Sequence, residues 1–460
     1  MCGNAPTSGS TSRGATNRQS PNATGASPTR DGFRDADATL TIVNESSVRI
    51  DVGRLMDRLD ALAEVGAVIG PHGERGCARL ALTDADRDGR NLVVGWMRDL
   101  GLNVGIDVVG NVFATRPGLR ADLAPVMTGS HIDTVGTGGR FDGNLGVLAG
   151  LEIIETLITN DITTDRDITV AFFTDEEGAR FAPDMLGSLV YVGGMAVESA
   201  LDVRAADDNA RLGDELHSIG YAGLTPCPAA TFPAAFVELH IEQGPILEAE
   251  GVHIGVVEGV QGISWTEVSI TGQSAHAGTT PMRLRHDPLL VAAEIISFVR
   301  RLTQEMGGNQ VATVGRIDVH PNLVNVVPST VTITVDLRHT DETRLQVAEA
   351  RLAQRLQELA TAEGVTIDTR PLARFEPISF DSQMVALVEH TAQSFGYTTR
   401  RMPSGAGHDA QMLARVCPTA MIFVPSANGL SHNIAEFTAS EDLERGANVL
   451  LAMLLHLSNE

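Results

Sequence analysis

The segment Thr128 to Asn144 reads TGSHIDTVGTGGRFDGN and follows the apolar run APVM. It sets His131, Asp133 and Asp142 among glycines, where no core can form. Three further segments repeat the pattern of an apolar, strand-like run followed by imidazole or carboxylate. VAFFTDEEGARF delivers Asp175, Glu176 and Glu177; AAFVELHIEQGP delivers His240, Glu242 and Gln243; TAMIFVPSANGLSHNIAE delivers His432 and Glu436. A solvated surface would scatter such residues. Imidazole nitrogen mixed with carboxylate oxygen suits zinc, manganese, cobalt or nickel better than magnesium or calcium. Two cations about 3.5 to 4 Å apart need a carboxylate between them. Five ligands are expected: His131, Asp142, Glu177, His240 and His432. Asp142, flanked by glycines in GGRFDGN, is the expected bridge. His131 and His240 then share one cation with it, and Glu177 and His432 the other. Asp133, two residues past His131, is expected to orient that imidazole. Any one of these histidines alone is more simply a loop residue; the set of five carries the reading.

Elements that bring these segments together must be strands ending side by side. GRLMDRLDALAEVG and LTDADRDGRNLVVGWMRDLG have helical spacing, the second opening on Thr83 and acids and ending near Gly101. NVFATR and APVMTGS read as strands, GNLGVLAGLEIIETLI as a helix and DITVAFFT as a strand. Alternation of this kind predicts an α/β fold with a mixed, largely parallel sheet flanked by helices, and function at the carboxyl ends of its strands. Residues 262–373 read differently. Strands ISWTEVSITG, NQVATVGRIDV, STVTITVDLRH and VTIDTR interleave with two long helices, which predicts a smaller inserted α+β unit. The expected division is therefore a tail over 1–45, a metal-binding catalytic domain over 50–261 and 374–460, and an inserted lid over 262–373.

Composition narrows the function. The chain has 460 residues, more than one core usually holds, so two domains are expected. A formal net charge of −24 argues against nucleic acid, whose phosphates need a basic face. Four Cys, with no CxxC pair, predict reduced thiols and a cytoplasmic protein. No run approaches the roughly 18 apolar residues of a membrane span. NVLLAMLLHL, near the end, reads as a buried helix face. The first 40 or so residues, rich in Ser, Thr, Gly, Asn and Pro, cannot bury enough surface to order themselves.

Taken together, SHIDTV…GGRFDG, DEEGARF, ELHIEQGP, SAHAGTTPM, NVVP…DLRH, SGAGHDA and SHNIAE resemble the zinc-dependent hydantoinase/carbamoylase amidases, relatives of the dinuclear aminoacylases and carboxypeptidases. The resemblance runs from about Ile50 to the end, with the motifs in the family order. It implies that Glu176, not Glu177, is the general base. It implies that His276 steadies the oxyanion from the partner subunit of a homodimer formed through the lid. The carboxylate of a small ureido or carbamoyl substrate is expected on Arg338, with Gln243 and Asn325 adding hydrogen bonds and Gly407 and His408 lining the pocket with Asp409. Two divalent ions per subunit are implied, zinc first, with manganese, cobalt or nickel as alternatives. The segment GARFAPDMLGSLVYVGG favours N-carbamoyl-L-amino acids, with allantoate or N-carbamoyl-β-alanine as alternatives.

Two readings from other classes compete. GAGHDA, Gly405 to Ala410, matches the dinucleotide-binding pattern GxGxxA, which would make the chain an oxidoreductase. The preceding YTTRRMP is a poor strand, and no strand with a terminal acid follows about 20 residues on. A binding module without activity would have lost Glu176 or a ligand, and all are present.

Overall fold

A computed structural model describes residues 48–460. The expected tail over 1–45 lies outside the described residues. Four parallel strands form the centre of the main sheet, in the order Thr419–Val424, Ala235–Ile241, Val126–His131, Ile168–Phe173. All four are buried along their whole length, and Ile168–Phe173 and Thr419–Val424 accordingly read as nearly unbroken apolar runs. The margins are antiparallel: Val112–Arg116 pairs with Ile168–Phe173, and Ile254–Val260 with Thr419–Val424. The sheet is thus mixed, with its parallel part at the centre.

Helices flank this sheet. Asn144–Thr159 packs on the strands Val126–His131 and Ala235–Ile241 and is buried on nearly every side. Ser440–Ser458 packs against Thr419–Val424 and Ala235–Ile241 and contains the expected buried face near the end of the chain. Among the described residues no helix is long and apolar enough to cross a membrane. Thr83 caps Asp84–Asp99 as expected, its side chain accepting from the Asp86 N–H. YTTRRMP, a poor strand by its sequence, supplies the strand Thr399–Ser404, parallel to Ile254–Val260 with a register shift between Met402 and Ser404. It lies off the central path of the sheet, where a proline costs little pairing.

A second sheet is fully antiparallel, in the order Val311–His320, Thr330–His339, Gly262–Thr271, Thr366–Phe375. Helices Pro288–Met306 and Glu342–Glu363 cover it, around an apolar cluster of its own that includes Val268, Ile295, Ile333 and Leu352. Period-2 alternation in Thr330–His339 sends Val331, Ile333, Val335, Leu337 and His339 into burial. Asp336 and Arg338 therefore stand on the other face, paired in register with Trp265 and Ile263 of the neighbouring strand. That face forms one wall of the cleft described next.

Candidate metal centre and active site

The carboxyl ends of the four central strands meet at one cleft. His131 closes Val126–His131, and His240 is the penultimate residue of Ala235–Ile241. Glu176 and Glu177 follow Ile168–Phe173, and His432 follows Thr419–Val424. Three turn residues here adopt left-handed backbone: Asp175 (φ 55°), Gln243 (φ 56°) and His432 (φ 51°). Such strain, on the order of 1–3 kcal/mol per residue, persists only where surrounding contacts enforce it, and it gathers at functional loops.

Asp142 sits between two donor sets. Its Oδ1 lies 3.2 Å from His240 Nε2 and 3.7 Å from His131 Nε2, and its Oδ2 lies 3.6 Å from His432 Nε2. Glu177 Oε2 stands 3.0 Å from the same His432 nitrogen. The sets His131–Asp142–His240 and Asp142–Glu177–His432 each converge as cation sites do, and they share Asp142. The fold thus brings together the five residues expected from the sequence as ligands. Asp142, Glu176 and Glu177 are largely buried together, a concentration of negative charge that calls for compensation by cations. Nitrogen and carboxylate donors in this mixture fit a divalent transition metal.

Local geometry explains the glycines. Gly143 has φ 64°, and a β-carbon there would lie 2.4 Å from the His131 ring. Any other residue would displace the imidazole or the helix that begins at Asn144. The imidazoles are also held from behind: His131 Nδ1 bonds the Asp133 carbonyl at 2.9 Å, and His240 Nδ1 the Ile241 carbonyl at 2.9 Å. Asp133 thus orients His131, but through its backbone. Its carboxylate, expected on the imidazole, is 3.9 Å from Nδ1 and accepts instead from the backbone N–H groups of Glu176 and Glu177, both at 3.3 Å. The reason is that the neighbouring turn presents two unpaired donors, which a buried carboxylate satisfies better than one ring nitrogen.

Glu176 and Glu177 diverge from that turn. Glu177 faces His432, and Glu176 Oε2 faces His131 Nε2 at 3.4 Å. Burial, and next the negative charge of Asp409, hold the Glu176 carboxyl well above the usual carboxylate range. A carboxylate so placed holds a proton readily.

Arg338 stands at the far side of the same cleft. Its Nε and Nη2 donate to Asp336 Oδ2 at 3.0 and 2.9 Å, and its Nη1 donates to the Gly405 carbonyl at 2.6 Å. The Trp265 ring lies beneath it, 5.7 Å from centroid to guanidinium carbon. Gly407 and His408 line the cleft with it, His408 paired with Ser404 Oγ at 2.8 Å. Gln243 also lines it and donates to Asp142 Oδ2 at 2.8 Å. Asp409, expected in the pocket, is instead wholly buried behind it as the first residue of Asp409–Leu413. The segment GAGHDA thus forms a cleft wall and leads into a helix of five residues.

His276 and Asn325 are not in the cleft of their own chain. They stand together on the small ribbon that pairs Ala275–His276 with Val326–Val327, and both are exposed. His276 Nδ1 accepts from the backbone N–H groups of Gly278 and Thr279, which leaves Nε2 as the donor of an exposed ring. Glu242 turns away as well, accepting from Ile246 and Leu247 at the start of a short helix. Two residues of the site had no assigned role from the sequence. Glu436 binds the loop of Asp142, and Asp184 lines the cleft. Glu436 stood beside His432 in a strand-end segment, a signal for the site but not for the role.

The chain is similar to known proteins over most of its length. Residues 127–456 match the peptidase family M20/M25/M40. The N-carbamoyl-L-amino-acid amidohydrolase of Rhizobium meliloti is 42% identical over 88% of this chain and 96% of its own length. The allantoate amidohydrolase of Bacillus subtilis is 33% identical over 88% of this chain and 97% of its own. A crystal structure of an amidase of the hydantoinase/carbamoylase family from Burkholderia multivorans superposes with a TM-score of 0.85 at 46% identity, over 90% of this chain and 99% of that one. With the donor sets, the buried Glu176 and this kinship together, the chain belongs to the M20/M25/M40 peptidase family and, within it, to the hydantoinase/carbamoylase amidases.

Proposed function

We propose that this enzyme hydrolyses the ureido C–N bond of an N-carbamoyl-L-amino acid, giving ammonia, carbon dioxide and the free amino acid. One observation carries the reading. The two donor sets that share Asp142 and the Arg338 guanidinium line one cleft, so a molecule with a carboxylate at one end and a ureido carbon at the other spans it. His131, Asp142 and His240 would hold one divalent cation, and Asp142, Glu177 and His432 a second, zinc being the expected metal. When bound, such ions supply Lewis acidity to a carbonyl and to water. Glu176 takes the proton of the attacking water and returns it to the leaving nitrogen. Arg338 anchors the carboxylate through its planar fork, held ready by Asp336 and Gly405. Gln243 and His408 contribute hydrogen bonds at the cleft wall.

His276 and Asn325 complete the cleft of a second subunit in this reading. Residues 262–373 act as the lid and as the homodimer contact, and residues 50–261 with 374–460 as the catalytic domain. The Nε2 donor of this exposed His276 supports a role across the interface, where it would meet the developing oxyanion. The free thiols Cys77, Cys227 and Cys417 accord with a cytoplasmic enzyme.

The test is ammonia release by protein stripped with chelator and reloaded with zinc or manganese. N-carbamoyl-L-methionine, its D-isomer, N-carbamoyl-β-alanine and allantoate are offered side by side. Metal-dependent turnover of the L-carbamoyl compound is expected. Turnover of allantoate alone would keep the metal centre and move the substrate; inactivity on all four would overturn the ureido reading.

A further inference from the structure

The carboxylate-bearing ureido substrate proposed above, on which this inference rests, leaves part of the cleft without a task. Metal donors, base, anchor and pocket residues account for most of its lining. Asp184, Ile263, Trp265 and Ala406 remain, and of these only Asp184 carries charge.

Asp184 is fixed relative to the base. In the next two residues, the Met185 N–H donates to the Glu176 carbonyl at 2.7 Å and the Leu186 N–H to the Asp175 carbonyl at 3.1 Å. Asp184 Oδ2 lies 3.6 Å from where a β-carbon on Gly407 would stand. Arg338 reaches the same short loop from its own side, at the Gly405 carbonyl. Arg338 therefore bonds, and Asp184 stands beside, one loop, 405–407, within one cleft. Among the described residues no other side chain donates a hydrogen bond to the Asp184 carboxylate. Burial lifts its carboxyl to about 6, against a hydrogen bond from its own backbone N–H and the pull of the Arg338 charge. It is a polar group, much of it removed from water, whose partner is not supplied by its own side-chain neighbours.

We infer that Asp184 is a specificity-determining residue: it selects ureido acids whose α-substituent carries a hydrogen-bond donor, and it rejects those whose α-substituent is anionic. The α-carbon of such a substrate bears three heavy groups. The carboxylate is taken by Arg338 and the ureido group by the donor sets, so the third faces what remains of the lining. An apolar substituent leaves the desolvated Asp184 carboxylate with no partner beyond its own backbone N–H. A carboxamide, an ammonium or a second ureido group pairs with them. A second carboxylate meets like charge in a water-poor setting, where repulsion is weakly screened. The shared chemistry covers both a donor-bearing amino acid side chain and the second ureido arm of allantoate.

The test compares kcat/KM for N-carbamoyl-L-asparagine, N-carbamoyl-L-leucine and N-carbamoyl-L-aspartate, which are nearly the same size, on the metal-loaded full chain. The asparagine compound is expected to exceed the leucine compound by about tenfold and the aspartate compound by about a hundredfold. Asp184→Asn is expected to bring the asparagine-to-aspartate ratio to within about threefold, chiefly by raising turnover of the aspartate compound. Asp184→Ser should do the same, which guards against an effect of one variant's folding. Wild-type values for the three compounds within about threefold of one another would overturn the inference, as would a ratio unchanged in both variants. Those results leave ureido hydrolysis standing. Hydrolysis of none of the three, nor of allantoate, would instead overturn the ureido reading itself.

Discussion

Glu436 carries the loop of Asp142: its Oε1 accepts from the Asp142 backbone N–H at 3.2 Å and from that of Phe141 at 2.9 Å. Ser431 Oγ joins the pair, 2.8 Å from Asp142 Oδ2 and 3.2 Å from Glu436 Oε2. Glu436 thereby ties the loop that holds His432 to the loop that holds the shared carboxylate. Gly139 makes room for it, since a β-carbon there would lie 2.0 Å from Glu436 Oε1.

Glu436→Ala should therefore weaken metal binding by about 10- to 100-fold, as loss of a group that orients a ligand does. Glu436→Gln keeps an acceptor for both N–H groups and should stay closer to wild type. Chelator competition with zinc measures both. An affinity in Glu436→Ala within twofold of wild type would deny Glu436 this role.

Glu176→Gln removes the proton carrier and leaves His131, Asp142, Glu177, His240 and His432 in place. Bound metal per subunit should be unchanged, while kcat should fall by about 10²- to 10⁴-fold. Elemental analysis beside ammonia release separates the two readouts. Normal turnover would move the base elsewhere in the cleft.

Arg338→Lys keeps the positive charge and loses the fork that now meets Asp336 and Gly405. The expected result is a KM raised by about tenfold or more for carboxylate substrates, with a smaller change in kcat. Amide derivatives of the same substrates, which lack the carboxylate, should not distinguish Arg338→Lys from wild type. An equal loss on both kinds of substrate would mean that Arg338 supports the wall and not the anchor.

His276→Ala should be inactive as a pure protein. Mixed with Glu176→Gln subunits, it should recover activity, because one cleft of the mixed dimer has Glu176 from one chain and His276 from the other. Ammonia release after subunit exchange reads this directly. No recovery, with exchange verified by differently tagged chains, would place His276 in the service of its own chain.

Much of the candidate metal centre was legible from residue order because strand ends are local events. An apolar run followed by His or Glu gives both the strand and the position just past its end, and at His131, Glu177, His240 and His432 that was enough. Asp142 was legible for a second reason: glycines on both sides announce a backbone that must pass close to something, and Gly143 passes close to His131. The alternation in Thr330–His339 likewise determined that Arg338 and Asp336 share a face.

What the tertiary structure decided was which neighbour satisfies each buried polar group. Asp133 is two residues from His131, yet its carboxylate serves the Glu176–Glu177 turn, which the sheet brings to it across more than 40 residues of chain. Glu242 stands at the same strand end as His240, yet its carboxylate accepts from the N–H groups that open a short helix. Glu436 finds its partners at Phe141 and Asp142, at a separation that no local pattern encodes. Asp184 reads as a loop aspartate until Gly407 and Arg338 are seen around the same cleft. The sequence by itself determined the donor types and the elements that carry them, since both depend on short-range periodicity and on chemistry intrinsic to each residue. Pairing among buried groups depends on long-range packing, and only the folded chain resolves it.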